Sequence, residues 1–596
     1  MFQTFEVTSS PETGPARLAA VRAEMAAAGL DGFLVPRADA HQGEYVAPCD
    51  ARLAWLTGFT GSAGFCAVLA DRAGVFIDGR YRVQVRDQVA EVFTPVHWPE
   101  VQLGDWLAQV LPSGAKVGFD PWLHTLAEVE ALRARLAKAG LELVESANLV
   151  DAVWHDRPAP PAAPFSIYPD DMAGEISASK RARLAKDLQE DGQVAAAITL
   201  PDSIAWLLNI RGADIERNPV PHAFAILHAD ATVDLFCNPV KVSAEVAAHL
   251  GKDVRLQEVA QFGPALASVA GAVRVDPKTA PQWIAAKVHD IAAGQDPCIL
   301  PKARKTEAEI AGSRAAHLRD GAAMARFLAW LDAETPKGGL TEIDVVTALE
   351  GFRRNTNALR DISFETICGA GPNGAIVHYR VNEATNRPVK EGELLLVDSG
   401  GQYLDGTTDI TRTIAVGTIG AEEKACYTRV LQGMIAISRA RFPKGVAGAH
   451  LDALARTPLW QAGMDYDHGT GHGVGAYLSV HEGPQGISRR AETPFEAGMI
   501  LSNEPGYYRE GAFGIRIENL IVVRAAAAVQ GGDARDMLEF ETLTYVPLDR
   551  RLINTTLLSR EEITWIDTYH ADTQRKIAPL LDGAASDWLQ AACAPL

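Results

Sequence analysis

Leu394-Leu395-Leu396-Val397-Asp398-Ser399-Gly400-Gly401-Gln402-Tyr403-Leu404-Asp405-Gly406-Thr407-Thr408-Asp409-Ile410-Thr411 is the stretch on which the fold turns. Its four leading apolar residues read as a strand buried on both faces, delivering Asp398 at its end. A turn-forming segment follows, then a Thr/Ile-rich strand carrying Asp409, so the chain folds back as a hairpin with one carboxylate per strand. The two acids are eleven residues apart. A loop of even length puts them on one face, directly opposite if it centres between Tyr403 and Leu404. Asp405-Gly406 favours a turn two residues later, which would separate the carboxylates by about 13 Å at ~3.3 Å per residue, too far for one metal cluster. A bulge or an upstream turn centre is therefore expected.

Downstream lie His468-Gly469-Thr470-Gly471-His472-Gly473, His481-Glu482-Gly483-Pro484, Asn503-Glu504-Pro505-Gly506 and Gly514-Ile515-Arg516-Ile517-Glu518-Asn519. Glycines beside His472 let the backbone carry an imidazole close to other groups. Glu504 stands where a strand ends at a Pro-Gly turn, and Glu518 continues an alternating strand on the face of Arg516 and Gly514. Asp398, Asp409, His472, Glu504 and Glu518 together form a hard, oxygen-rich donor set suited to two divalent ions such as Mn, with Co or Zn as competitors. Four acids gathered without metal would repel one another and raise their pKa values. The HGTGHGVG segment lacks both the P-loop lysine and a GxGxxG fingerprint, which excludes nucleotide binding. Cys368 has no evident base beside it and reads as a buried thiol.

Further out, Leu53-Ala54-Trp55-Leu56 and the strand-like runs after it are echoed about 150 residues later, a domain-sized interval, by Ile204-Ala205-Trp206-Leu207 and its followers. The echo predicts two tandem α/β domains of similar fold. The Pro-rich segment Arg157-Pro158-Ala159-Pro160-Pro161 separates them, and a second break falls at Pro301. Beyond it, Ala311, Ala315, Leu318, Ala322, Ala325 and Ala329 predict an amphipathic helix with a small-residue face. Near the end, Ser559 and Glu562 form a capping box ahead of Ile563 and Ile566, so a helical tail closes the chain. The expected segments are 1–157, 158–301, 302–535 and 536–596.

Composition sets the outer limits. A net charge of −19 is the wrong sign for a nucleic-acid binder, whose affinity comes from neutralising phosphates. Seven scattered cysteines without a Cys-x-x-Cys pair read as reduced thiols. The start has no signal-peptide pattern and no run long enough to span a membrane, so a cytoplasmic protein is expected.

The four acids and one histidine, in the motifs LLLVDSGGQYLDGTTDITRT, HGTGHGVG, SNEPGYY and GIRIEN, resemble the "pita-bread" metallopeptidases, the family of methionine aminopeptidase, prolidase and aminopeptidase P. DAHQGEYVAPCDARLAWLTGFTGSAG from Asp39, the IAWLLNIRG repeat and the tail PLDRRLINTTLLSREEITWIDTYH narrow the resemblance to the three-domain aminopeptidase P group. It implies an α/β (α+β) chain: two tandem creatinase-N-like domains, then a pita-bread catalytic domain with a helical tail. It further implies that Asp398 serves one metal, that Asp409 and Glu518 bridge, and that His472 and Glu504 serve the second. His378, His468 and His481 would surround the scissile bond, and Arg516 would support Glu518. The expected activity is hydrolysis of the N-terminal Xaa-Pro bond by a hydroxide held on two metals, with Glu504 as proton shuttle. The expected substrates are peptides with proline at position two, and the expected assembly is a homodimer. Prolidase, cleaving Xaa-Pro dipeptides, shares the same ligands but typically lacks the duplicated N-terminal region. A non-catalytic pita-bread peptide-binding module is the reading from a different class, and the intact ligand set argues against it.

Overall fold

The computed structural model describes residues 1–596. The chain forms two compact units, Thr8–Lys302 and Met1–Val7 together with Ala303–Leu596.

In Thr8–Lys302 the repeat is present strand for strand. One six-stranded sheet runs Thr94–His97, Ala73–Ile77, Phe65–Leu69, Gly32–Pro36, Lys116–Phe119, Glu142–Glu145. The other runs Val254–Gln257, Val233–Phe236, Phe224–His228, Ala195–Ile198, Val273–Val275, Ile291–Ala293. In both, only the third strand of that order is antiparallel to its neighbours. In both, the chain builds one side of the sheet from its first strand and then crosses back to place its fifth on the other side. The two tryptophans of the echo sit on equivalent helices, Arg52–Thr57 and Pro201–Leu208.

The second unit is a mixed α/β body in which a helix pair precedes or flanks each of two antiparallel sheets. Glu307–Glu334 packs on Glu342–Arg354, and Ala421–Ser438 on Gly448–Trp460. One sheet orders Ile367–Ala370, Leu394–Ser399, Ile410–Ala415, and the other Arg441–Pro443, Met537–Thr542, Asn519–Ala525, Ile500–Asn503. Leu395, Leu396 and Val397 pack into a core with Phe327 and Leu349, while Leu394 joins a second core with Met434 and Ile515. Cover on both faces explains the unbroken apolar run, each such leucine contributing about 1.5–3 kcal/mol on burial.

Pro301 lies in the short helix Ile299–Ala303, in a first turn where no N–H is missed, and the boundary between the two units falls just after it, at Lys302. The long helix begins with a Thr306/Glu309 capping box. Its alanine series is buried only in part: Ala322 and Ala325 are, whereas Ala311 and Ala315 are exposed. Ile310, Ser313, His317 and Asp320 are buried instead, because this helix packs its polar groups against the Asp405-Gly406 turn. The tail helix Arg560–Ile577 starts with the expected Ser559/Glu562 box. All seven cysteines are buried and free.

Candidate metal centre

The hairpin takes neither register anticipated for it. Asp398 pairs with Thr411, and Tyr403 with Gly406, so the turn centres between Leu404 and Asp405. The same register runs on both sides of an interruption at Gly400 and Thr408-Asp409, without a bulge. Asp409 thus stands just before the strand Ile410–Ala415 rather than within it, about two residues, ~6.6 Å, along from Asp398 and on its face. A buried ion pair clamps this interruption. Arg353 donates to Asp320 at 2.8 and 3.1 Å and to the Ser399 carbonyl at 3.3 Å. Asp320 also accepts from Tyr403 Oη at 2.7 Å and Thr408 Oγ1 at 3.0 Å.

Glu504 follows the strand Ile500–Asn503 as expected, and its N–H donates to the Thr470 carbonyl at 2.8 Å. Glu518 falls in a bend between Phe513–Arg516 and Asn519–Ala525. There its N–H donates to the Thr411 carbonyl at 3.1 Å and its Oε2 accepts from Thr411 Oγ1 at 2.8 Å. Arg412, buried, donates to the Glu518 carbonyl at 2.6 Å and to Tyr569 Oη of the tail helix at 2.9 Å.

The histidine loop is held from helix Gly448–Trp460. Arg456 donates to the carbonyls of Tyr466 and His468, both at 2.7 Å, and Asp452 accepts from Thr470 Oγ1 at 2.6 Å. A Cβ on Gly471 would lie 2.0 Å from the Ser502 carbonyl, and one on Gly473 2.0 Å from that of Glu482, so both glycines are required by close backbone approach. His472 Nδ1 donates to the Gly473 carbonyl at 2.9 Å, which leaves the Nε2 lone pair pointing at the acids. Nε2 lies 3.5 Å from Asp409 Oδ2 and 3.4 Å from Glu504 Oε1. Ligand atoms of Asp409, His472 and Glu518 lie within 4.8 Å of one another.

Electrostatics shows what this cluster lacks. Burial, with Asp409 adding and Arg516 opposing, pushes Asp398 up to about 6. Burial and then the charges of Asp409, Glu504 and Asp398 drive Glu518 well above the usual carboxylate range. His472 is depressed by burial but raised overall, to about 9, by Asp409 and Glu504. Asp398 Oδ1, Asp409 Oδ1 and Glu518 Oε1 are buried with no hydrogen-bond partner. Buried acceptors of this kind carry a large desolvation cost unless a cation meets them. The residues therefore fit divalent metal, as the donor chemistry suggested.

Each anticipated residue has a definite place. Asp398, Asp409, His472, Glu504 and Glu518 interact as one cluster. The His481 ring stands edge-on to His472, centroids 4.3 Å apart. His468 has both ring nitrogens engaged, Nδ1 with the Gly469 carbonyl at 2.7 Å and Nε2 with Tyr508 Oη at 2.9 Å. His378 lies half-buried in the turn after the 3-10 helix Gly371–Ala375, which packs on the strand Phe513–Arg516. Arg516 does not support Glu518: it donates to Asp398 Oδ2 at 3.1 and 2.6 Å, and to Tyr508 Oη at 2.5 Å. The backbone bends at Ile517, so the two-residue alternation that aligned Arg516 with Glu518 fails. Missed entirely were Tyr508, Thr411 and Ser502. Thr411 was recoverable from its i+2 spacing to Asp409; Ser502, whose hydroxyl donates to Glu504 at 3.0 Å, from its spacing to Glu504.

Comparisons with known proteins agree with this geometry. Residues 311–525 match the model of metallopeptidase family M24, and 536–596 that of the C-terminal region of peptidase M24. Residues 17–153 and 156–309 each match a creatinase/prolidase N-terminal domain. Aminopeptidase P2 of Arabidopsis thaliana is 41% identical, covering 94% of this chain and 85% of its own. A probable Xaa-Pro aminopeptidase P of Aspergillus niger is 39% identical, covering 97% and 98%. The crystal structure of an X-prolyl aminopeptidase from Caenorhabditis elegans, described as a cytosolic enzyme with a di-nuclear active site, superimposes with a TM-score of 0.95 at 33% identity over 98% of this chain and 100% of its own.

Proposed function

The chain belongs to the Xaa-Pro aminopeptidase P family of M24 metallopeptidases, and we propose on that premise that it removes the first residue from peptides with proline at position two. The observation that carries this reading is the burial of three unpartnered carboxylate oxygens, on Asp398, Asp409 and Glu518, in one cluster, with ligand atoms of Asp409 and Glu518 within 4.8 Å of that of His472.

In this reading Asp409 and Glu518 would serve both of two divalent ions, Asp398 would complete the donors to one, and His472 and Glu504 would complete those to the other. Mn is the proposed ion, with Co and Zn as the competing choices. Ions held there supply Lewis-acid polarisation of the scissile carbonyl and water activated at neutral pH. The protein supplies position and proton movement. Glu504, its Oε1 fixed by Ser502, carries a proton to the leaving prolyl nitrogen, which has none of its own. Arg516 fixes Asp398 through one oxygen and leaves Oδ1 free to ligate. His468 acts through Tyr508 and Arg516, holding that guanidinium in place. His378 is proposed to reach the substrate from the turn after the 3-10 helix Gly371–Ala375. A cytoplasmic location, supported by likeness to the nematode enzyme described as cytosolic, and a homodimer complete the proposal; no helix of this chain is long and apolar enough to cross a membrane.

Specificity is tested with an Arg-Pro-Ala-Gly-Phe peptide. Mass spectrometry should find release of arginine alone, and the same peptide with alanine at position two should be cut poorly. Efficient release of Met from Met-Ala peptides would overturn the assignment, and cleavage confined to dipeptides would make the protein a prolidase.

His481 is assigned as a donor to the developing oxyanion, since its ring abuts His472 edge-on. His481→Ala should keep both ions and the fold while lowering kcat by roughly 10²–10³, with KM moving less. Loss of an ion from the variant, or wild-type turnover, would displace His481 from this role.

A further inference from the structure

The first α/β repeat contains a cavity of about 410 Å³. Gly32–Pro36 and Lys116–Phe119 are parallel neighbours whose onward connections leave on opposite sides, a switch point at whose carboxyl edge open α/β sheets bind ligands. The cavity lies at that edge, lined by Pro36, Arg37 and Trp98 beyond strand ends and by Leu123, His124 and Leu132 from the segment after Phe119. In the second repeat, Phe224 opens the antiparallel strand as Phe65 does in the first. There Phe224 stacks on Phe262 with centroids 4.7 Å apart, and Trp283 stacks on Trp122 of the first repeat at 3.9 Å. Phe65 instead lies against Phe76 at 4.6 Å, and the space over the sheet stays open.

The polar groups in this space are few and unmatched. Arg37 Nε is buried without a hydrogen-bond partner, as is His124 Nε2. Burial holds the His124 pKa down to about 4, so its ring is neutral at pH 7. The remaining charges on the wall are engaged: Glu128 accepts from the Thr125 N–H at 3.0 Å, and Arg135 is paired with Asp105 at 2.7 Å. The acids whose charge reaches Arg37 are hydrogen-bonded elsewhere, Asp39 Oδ1 to the N–H groups of His41 and Gly43 and Glu44 to Ser62. The Arg37 guanidinium, its Nε without a partner, therefore faces a mainly apolar chamber of ligand size whose wall also carries the Glu128 carboxylate, tied back to the Thr125 N–H.

We propose that this chamber is a binding site for a small monocarboxylic acid with an aromatic or branched apolar body, its carboxylate on Arg37 and its body against Phe119, Leu123 and Leu132. The site is built wholly within the first repeat and does not depend on the proposed peptidase activity.

Calorimetry on the full-length protein with 4-phenylbutyrate tests it, with 4-phenyl-1-butanol as the uncharged match. The acid should bind with a Kd below about 1 mM. Arg37→Leu should weaken the acid by roughly tenfold or more, leave the alcohol within about twofold, and leave peptide hydrolysis unchanged. Leu132→Trp, which fills the chamber, should abolish binding of both at unaltered Tm, and stands in if Arg37→Leu fails to fold. Absence of binding to the wild type, equal affinity for acid and alcohol, or undiminished acid binding in either variant would overturn the proposal; the last would place the acid at the metal centre instead.

Discussion

Glu518→Ala is expected to lower kcat/KM for Xaa-Pro peptides by roughly 10³ or more and to bring bound divalent ions below two per chain. Glu518 is 1% exposed, with one oxygen on Thr411 and the other awaiting a partner among Asp398, Asp409 and Glu504. Loss of a bridging carboxylate forfeits several kcal/mol of charge stabilisation in the transition state, and each 1.36 kcal/mol is about tenfold in rate. The same argument fixes the sign of the stability change. Without metal, removing one of four crowded acids relieves repulsion, so the variant in chelator should melt no lower than wild type in chelator. With metal, wild type should gain stability by mass action and the variant much less. Metal analysis with paired melts decides it. A variant that keeps two ions and full activity would remove Glu518 from the centre.

Asp320→Ala should produce the largest structural effect outside the ligands. It leaves the 1%-exposed Arg353 guanidinium uncompensated and strips partners from Tyr403 and Thr408. Breaking one side of a buried pair costs about 3–5 kcal/mol, whereas replacing both sides by apolar groups is often far milder. Asp320→Leu/Arg353→Met should therefore recover much of the loss. Because the chain has two units, local hydrogen exchange at Leu395, Leu396 and Val397 reports the effect better than one global midpoint. Unchanged protection there in Asp320→Ala would show that the pair does not hold the hairpin.

What was legible in the residues were features governed by near neighbours. Leu394–Val397 announced a doubly covered strand, Ser559 with Glu562 announced a helix start, and the repeated Ala-Trp-Leu segment announced a duplicated sheet. What escaped depends on distant partners. The hairpin centre is set between two rival turns by Arg353 and Asp320, residues from two helices well upstream. The buried stripe of Glu307–Glu334 was misread because from Asp320 onward most of the helix circumference is covered, which flattens its periodicity. Arg516 reached Asp398 rather than Glu518 because the strand ends between them. The cluster itself was legible because five donor residues in glycine-rich surroundings carry their chemistry in their identity, whatever the register.

Arg412 ties the Glu518 carbonyl to Val546, Pro547 and Tyr569, and at the other end of the chain Gln3 and Thr366 exchange hydrogen bonds. The ribosome delivers these partners more than a hundred residues apart, and Tyr569 follows Arg412 by 157. Thr8–Lys302 is by then complete and free to fold as a domain during synthesis. The acid cluster has no such option. Until Arg560–Ile577 has been made, Arg412 lacks Tyr569 and Glu518 lacks the strut behind it. Routing the support of Glu518 through Arg412 thus ties the closing of a hydrolytic centre to synthesis of the tail helix.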